Sequence, residues 1–200
     1  MAEILIIFVA ILVWGVSPLT AIQLLWLNLV TDGAPALALA NEKGDPDIME
    51  QPPRPTKEPI INKRMRNGII VQTIAISAVT LAAYYIGLVQ DGLHIETAET
   101  MAFVTLSVSE LLRAYTARSE YYPLFKIGVF SNKWMNLGVL VSLVLIFVVV
   151  YVPFFNPIFN TVPLSFQAWE FVLPLLLVPA IAAEVTKAIM RKRQKSASVA

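Results

Sequence analysis

Cysteine is absent from the 200-residue chain, histidine occurs once, and charged side chains make up only 14% of the residues. Without cysteine the chain can form neither a disulfide nor a thiolate metal site, and a single histidine excludes a histidine-rich transition-metal site. A soluble domain carries about 25% charged residues, whereas here 57% of the residues are hydrophobic and the mean hydropathy is +0.68. This composition predicts an integral membrane protein. The net charge of +1 gives no reason to expect nucleic acid as a partner.

Six apolar segments are separated by polar connections. Five are long enough to cross a hydrocarbon core of about 30 Å as helices, which rise about 1.5 Å per residue. The first, with an apolar run over 4–16, covers only about two thirds of that core. It lacks the basic start and the cleavage site of a signal peptide, so we expect a transmembrane helix whose first part is missing.

The predicted fold is therefore an all-α membrane protein, a polytopic bundle of six helical segments in one domain over 1–200, with the first segment truncated. The segments are expected at about 2–16, 19–40, 68–90, 97–118, 134–155 and 166–190.

All 15 lysines and arginines lie after the second segment, around the connection after the fourth, or at the C-terminal end. The alternate connections 17–18, 91–96 and 156–165 contain none. Because basic residues stay on the cytoplasmic side of a membrane, this pattern supports six segments and predicts a cytoplasmic C-terminus. The three basic groups are Lys43, Arg54, Lys57, Lys63, Arg64 and Arg66; Arg113, Arg118, Lys126 and Lys133; and Lys187, Arg191, Lys192, Arg193 and Lys195.

The connection 41–67, NEKGDPDIMEQPPRPTKEPIINKRMRN, contains five prolines. Proline lacks a backbone N–H and restricts φ, so we expect a semi-rigid cytoplasmic loop. Two roles are open for this loop. It could be a plain connector or a docking surface for a cytoplasmic domain.

Polar residues interrupt the second segment. The stretch 24–39, LLWLNLVTDGAPALAL, contains Asn28, Thr31 and Asp32, which share one face of a regular helix because they are spaced i, i+3 and i+4. A glycine and then Pro35 follow. Pro35 cannot donate a hydrogen bond to the carbonyl of Thr31, and the glycine weakens the same turn. We therefore expect the helix to unwind near Asp32–Pro35.

A carboxylate in mid-membrane costs at least about 2.5–3.5 kcal/mol, so Asp32 needs an explanation. Together with the amide of Asn28, the hydroxyl of Thr31 and the freed carbonyls, it offers the oxygen ligands that Ca²⁺ takes, about 6–8 in number. Broken helices at this depth form transport sites. The alternative is a kinked helix whose polar groups bond to neighbouring helices, which explains Asn28 and Thr31 but not an ionised Asp32.

Two further carboxylates lie in apolar segments. Glu3 is either a trivial charge at the chain terminus or, in a truncated helix, a ligand that faces Asp32. Glu110, in FVTLSVSELLRAY, could pair locally with Arg113 at i+3 or point into the same site as Asp32.

The motifs NLVTDGAPA and DIMEQPPR are similar to the sixth transmembrane helix and the following loop of type II P-type cation-transporting ATPases. The chain looks closest to calcium pumps of the sarcoplasmic reticulum type and their prokaryotic relatives. The resemblance covers the whole chain and implies that the six segments are the fifth to the tenth membrane helices. It also implies a prokaryotic plasma membrane as the location.

The resemblance implies a role for five side chains. Glu3, in Met1-Ala2-Glu3, matches the end of the fifth-helix motif that ligates calcium. Asn28, Thr31 and Asp32 match the sixth-helix ligands, and Glu110 in SELLRAY matches the eighth-helix carboxylate. The fourth-helix glutamate of the family has no counterpart in this chain, so a complete second site is not expected.

The family's phosphorylation motif, Asp-Lys-Thr-Gly-Thr, is absent, as are the nucleotide-binding and actuator domains. The chain alone is therefore expected neither to hydrolyse ATP nor to transport. Its implied partners are the N-terminal membrane helices and the cytoplasmic domains of a pump, where ATP and Mg²⁺ would act. The implied cargo is Ca²⁺, with Mn²⁺ as a second candidate because it also accepts oxygen ligands.

Two other functions remain open from the sequence. One is a non-catalytic membrane protein that binds cations or a partner. The other is a secondary transporter coupled to ions or protons through Asp32 and Glu110. The second should show a repeated half with another broken helix, and no internal repeat is visible.

Overall fold

The computed structural model describes residues 1–45, 47–50, 59–90 and 94–197. All regular structure in these ranges is helical, which confirms the all-α class. The helices are α1 Ala2–Trp14, α2 Ala21–Trp26, a π-helical turn Leu27–Thr31, α3 Gly33–Ala40, α4 Lys63–Gln90, α5 Ile95–Thr116, α6 Leu124–Ile127, α7 Lys133–Tyr151, α8 Asn156–Phe159 and α9 Phe166–Ala197.

By length and composition, four helical stretches of the described chain can cross a membrane. Helix α1, with 13 residues, is shorter than these. Helix α5 has 22 residues but carries Glu96, Glu99, Glu110 and Arg113, and it is not among the four. Most of α5 is nevertheless buried and packs against α4, α7 and α9, so protein rather than lipid surrounds it. The four stretches are Ala21–Ala40, Lys63–Val89, Lys133–Tyr151 and Phe166–Arg191.

Several observed bounds differ from the expected ones. Helix α4 begins at Lys63, because the Asn62 side chain accepts a hydrogen bond from the N–H of Met65 at 2.8 Å and caps the helix. Lys63, Arg64 and Arg66 therefore belong to helix α4 and not to the loop before it. Helix α7 ends at Tyr151, because the residue before Pro153 is driven out of the helical region.

The connection after α3 is only partly described. Residues 47–50 form a turn, and residues 46 and 51–58 lie outside the described residues. Four of the five prolines of 41–67 fall in that part, so the semi-rigid loop stays a prediction.

The second segment is interrupted as expected, but the interruption is a π-helical turn, called the π turn from here on, rather than an uncoiled stretch. The N–H of Asp32 donates to the carbonyl of Leu27 at 3.0 Å, one residue further back than in an α-helix. Pro35 lies in the first turn of α3. The N–H groups of a first turn have no acceptor within the helix, so a proline there costs no helical hydrogen bond. The irregularity therefore falls on the turn before it.

Helices α4, α5 and α9 form the centre of the bundle. Gly87 of α4 is buried against α5, and a Cβ atom at this position would lie 2.6 Å from the Cα of Ala98. Only glycine allows the two backbones to approach this closely. The buried apolar residues of these helices form the main core together with residues of α1 and α7.

The basic connections meet at one end of the bundle, called the basic end. There the Arg118 guanidinium, after α5, donates to both carboxylate oxygens of Glu42, after α3, at 2.8 and 2.9 Å. The Lys187 ammonium of α9 donates to the carbonyl of Tyr122 at 3.4 Å. The connections after α3 and α5 and the end of α9 therefore lie on the same side.

The other connections meet at the opposite end. The Gln23 amide donates to the carbonyl of Phe159 at 2.9 Å. The Asn160 amide donates to the Glu99 carboxylate at 2.6 Å. Alternate connections thus lie at alternate ends of the bundle.

Candidate cation-binding site

Two of the predicted ligands are in direct contact. Glu3 lies in the first turn of α1 and Asn28 lies in the π turn. The Asn28 amide donates to the two carboxylate oxygens of Glu3 at 3.3 and 3.1 Å, and also to the carbonyl of Leu24 at 2.9 Å. Glu3 therefore faces the interrupted segment, as the hypothesis of a shared site requires.

Asp32 follows the π turn directly, in a right-handed helical conformation. Among charged groups, Glu3 acts most strongly on the Asp32 carboxylate, and Asp32 acts most strongly on Glu110. Helix α5 also contacts the π turn and α3. The three carboxylates therefore lie in one region of the bundle, where they repel one another.

Thr31 and Glu110 supply buried oxygens without partners. Thr31 is fully buried, and its hydroxyl has no hydrogen-bond partner among the described residues. One carboxylate oxygen of Glu110 is also buried and has no hydrogen-bond partner among the described residues. Leaving such a group unsatisfied costs about 1–3 kcal/mol or more, so each of these oxygens is available to a ligand.

The local alternative for Glu110 is not formed. Arg113 lies three residues further along α5, is exposed, and makes no ion pair with Glu110. Arg113 still acts on the Glu110 carboxylate through its charge. It reduces the net negative charge of the region without occupying either carboxylate oxygen.

The arrangement is open. Asn28 and Asp32 are exposed. Within the described ranges, no three acidic or histidine side chains lie close enough together to hold a metal ion by themselves. The region offers carboxylate, amide and hydroxyl oxygens, which suit hard cations such as Ca²⁺. To enclose a cation, these side chains have to approach one another.

Two contacts of this region and of the basic end were not predicted from the sequence. The first joins Ser142 of α7 to the π turn, where the hydroxyl donates to the carbonyl of Val30 at 3.0 Å. A signal for this contact was present, since Ser142 is a single polar residue in the apolar run LGVLVSLVLIF. Its partner could not be read from the sequence.

The second contact is a buried network around Arg118, whose side chain is fully buried against Glu42. The guanidinium also donates to the carbonyls of Gly128 and Val129, both at 2.9 Å. The Asn132 amide donates to Glu42 at 2.8 Å. The hydrogen bond from Arg118 is the main reason why the pKa of the Glu42 carboxyl lies below its ordinary value.

The chain matches a known family over most of its length. A family model described as "Cation transporting ATPase, C-terminus" matches residues 16–189. Calcium-transporting ATPase 1 of Bacillus cereus is 33% identical over 202 residues, covering 92% of this chain and 22% of that protein. A calcium-transporting ATPase of Listeria monocytogenes is 35% identical over 191 residues, covering 96% and 21%. Calcium-transporting ATPase type 2C member 1 of Bos taurus is 33% identical over 179 residues, covering 90% and 19%.

The chain spans about a fifth of the length of these curated relatives. The matches confirm the resemblance that the NLVTDGAPA and DIMEQPPR motifs carry. The chain belongs to the family of cation-transporting ATPases, of which it is the C-terminal membrane region.

Proposed function

We propose that the chain supplies ion-binding side chains to an ATP-driven pump that exports Ca²⁺. One observation carries the proposal. Glu3, Asn28, Thr31, Asp32 and Glu110 come from three helical segments that meet around the π turn, where Thr31 is buried and Asn28 and Asp32 are exposed. Neighbouring carboxylates on apolar helices are unfavourable in the ionised form unless a cation binds between them.

The chemistry of the ligands favours a hard divalent cation. Carboxylates bind Ca²⁺ when they are ionised and carry protons when they are not, so the same groups can release Ca²⁺ and take protons back. Ca²⁺ takes about 6–8 oxygens, and within the described ranges no three acidic side chains lie close enough together to hold an ion by themselves. The remaining ligands would come from the other membrane helices of the pump. Mn²⁺ also accepts oxygen ligands and is the main competitor.

The proposed pump needs further parts. ATP and Mg²⁺ would act in the phosphorylation, nucleotide-binding and actuator domains, and the chain alone is competent for neither ATP hydrolysis nor transport. The loop 41–67 would contact the phosphorylation domain. The relatives that support a larger pump are named calcium-transporting ATPases, and each is about five times as long as this chain.

The orientation is part of the proposal. All three basic groups of the sequence belong to the basic end or to the connections that lead to it. Because basic residues stay on the cytoplasmic side, we place the basic end in the cytoplasm. The membrane would be the plasma membrane of a prokaryote.

The test is equilibrium binding of ⁴⁵Ca²⁺ to the full-length pump that carries this segment, with Mn²⁺ as competitor. Asp32→Asn is expected to abolish Ca²⁺ binding and Ca²⁺-dependent phosphorylation by ATP. The control is Glu184→Gln, whose carboxylate pairs with Lys187 at 3.0 Å at the basic end and is expected to be without effect on Ca²⁺ binding. Normal Ca²⁺ binding by Asp32→Asn would overturn the proposal.

A split result would favour another class of protein. Ca²⁺ binding that depends on Asp32 but never leads to phosphorylation by ATP would indicate a non-catalytic cation-binding protein. Tighter binding of Mn²⁺ than of Ca²⁺ would keep the pump and change its cargo.

A further inference from the structure

Ser142 joins helix α7 to the π turn. It is fully buried, and its hydroxyl donates to the carbonyl of Val30 at 3.0 Å, across 112 residues of sequence. Val30 is followed directly by Thr31 and Asp32, two of the proposed ligands. The bond therefore acts on the backbone that carries the ligands, and not on a ligand itself.

The two elements are closely packed at this contact. Gly138 lies one turn before Ser142 on α7, so both residues share a face of the helix. A Cβ atom at Gly138 would lie 3.3 Å from the carbonyl carbon and oxygen of Ala34 in α3. A small residue at each of the two positions lets α7 lie directly against the interrupted segment.

A π turn in a membrane segment needs support from outside. Such turns are rare because their backbone hydrogen bonds are less favourable than those of an α-helix. Pro35 has no N–H to donate to the carbonyl of Thr31, so the turn cannot satisfy all of its own acceptors. In the bilayer no water replaces the missing donor, and a neighbouring helix has to supply one. Ser142 donates to the carbonyl of Val30, the residue directly before Thr31.

We propose that Ser142 is a positioning residue for the cation site, which holds the π turn so that its side chains face those of α1 and α5. The inference rests on the proposed function. A cation binds only to molecules in which the turn is formed, so the apparent affinity falls in proportion to the fraction of such molecules. Without the hydrogen bond from Ser142, the π turn is less stable relative to a regular α-helix. In a regular α-helix the ligand side chains of the turn would be rotated away from those of α1 and α5.

The test is ⁴⁵Ca²⁺ binding to the full-length pump with Ser142→Ala, Ser142→Cys and Ser142→Thr. The first two variants lose a strong donor, and cysteine does so at nearly constant volume. The hydroxyl bond is worth a factor of about three to ten in an equilibrium. We expect Ser142→Ala and Ser142→Cys to raise the half-saturating Ca²⁺ concentration by that factor without lowering the maximal amount bound. Ser142→Thr retains the hydroxyl but adds a methyl group at a closely packed contact, so we expect it to raise the half-saturating concentration less than Ser142→Ala does.

The matched control is Thr161→Val. The Thr161 hydroxyl is buried and donates to another carbonyl of α7, that of Val149, at 2.8 Å. Val149 lies seven residues from Ser142, about 10 Å along the helix. Thr161→Val should lower thermal stability and leave the half-saturating concentration unchanged.

The outcomes separate the inference from the proposed function. An unchanged half-saturating concentration in both Ser142→Ala and Ser142→Cys overturns the inference. An equal effect of Thr161→Val also overturns it, because the effect would then be a general loss of packing. Neither result touches the proposed function, which fails only if Asp32→Asn binds Ca²⁺ normally.

Discussion

The side-chain amide of Asn28 donates to both carboxylate oxygens of Glu3, which lies 25 residues earlier in the chain. This contact joins the π turn to the first turn of α1. An amide N–H is a good donor to a carboxylate, so the contact provides hydrogen bonds to Glu3 in apolar surroundings. It also leaves the amide oxygen of Asn28 available as a ligand.

Asn28→Ala removes a donor from Glu3 and an oxygen from the site. We expect the half-saturating Ca²⁺ concentration to rise about three- to tenfold, the value of one hydrogen bond, in ⁴⁵Ca²⁺ binding to the full-length pump. Asn136→Ala is the control, because Asn136 bonds to Tyr115 and Phe130 at the basic end. If the two variants bind Ca²⁺ with equal affinity, Asn28 is not a ligand of the site.

Glu110→Gln keeps the shape of the side chain and removes its charge. A charged ligand group is worth about 1.5–3 kcal/mol, so we expect Ca²⁺ affinity to fall about 10- to 100-fold. Glu99→Gln is the matched control on the same helix. Glu99 is also buried but accepts a hydrogen bond from Asn160 at the opposite end. If Glu99→Gln weakens Ca²⁺ binding as much as Glu110→Gln does, the role of Glu110 is not specific.

The pair of Glu42 and Arg118 predicts a dependence of stability on pH. The pKa of the Glu42 carboxyl is lowered from its ordinary value of 4.5, first by the hydrogen bond from Arg118. Because the pKa is lower in the folded chain, the ionised pair contributes its full stability above about pH 4.5, the unfolded pKa. This contribution is lost as the pH falls through the lower pKa of the folded state.

Thermal unfolding of the wild type and of Glu42→Gln tests this dependence. At neutral pH the variant should be less stable by about 2–4 kcal/mol, because the buried Arg118 charge loses its counterion. The difference between the two proteins should shrink below pH 4.5. Glu184→Gln removes the ion pair with Lys187, which is more exposed than the pair of Glu42 and Arg118. It should lower the free energy of unfolding by about 1 kcal/mol or less. A difference that grows on acidification would contradict the assignment.

Gly87→Ala tests the close approach of α4 and α5. The added methyl group would meet the Cα of Ala98 at 2.6 Å, so one helix has to move. We expect a loss of about 1–3 kcal/mol in thermal unfolding, as for other overpacked cores. Gly68→Ala is the control on the same helix, where a Cβ atom meets nothing within 4 Å. That variant should be about 0.5–1 kcal/mol more stable, because alanine favours a helix over glycine.

The all-α class and the approximate positions of the helices could be predicted from local sequence, whereas the candidate ligands stay a prediction. In a bilayer an apolar segment satisfies its backbone only as a helix, so hydropathy alone indicates the all-α class. Asp32 and Glu110 are conspicuous because a charge among apolar residues is costly wherever the chain places it. The break near Pro35 follows from its missing N–H.

Other features depended on contacts between distant parts of the chain. The interruption became a π turn next to Ser142, which lies 112 residues from the carbonyl that it binds. Arg118 looks like an ordinary surface cation in the sequence, but the folded chain buries it against Glu42. Helix α5 keeps Glu99 buried and Glu110 largely covered inside the bundle because its neighbours pack against it.

The sequence by itself therefore determined the class of fold and the family, and it predicted which residues could bind a cation, because hydropathy and proline act on the chain locally. Only the tertiary structure decided how the broken segment is held and which polar groups meet. The reason is physical: a buried donor or acceptor bonds to whatever partner packing brings within reach, and sequence distance does not enter.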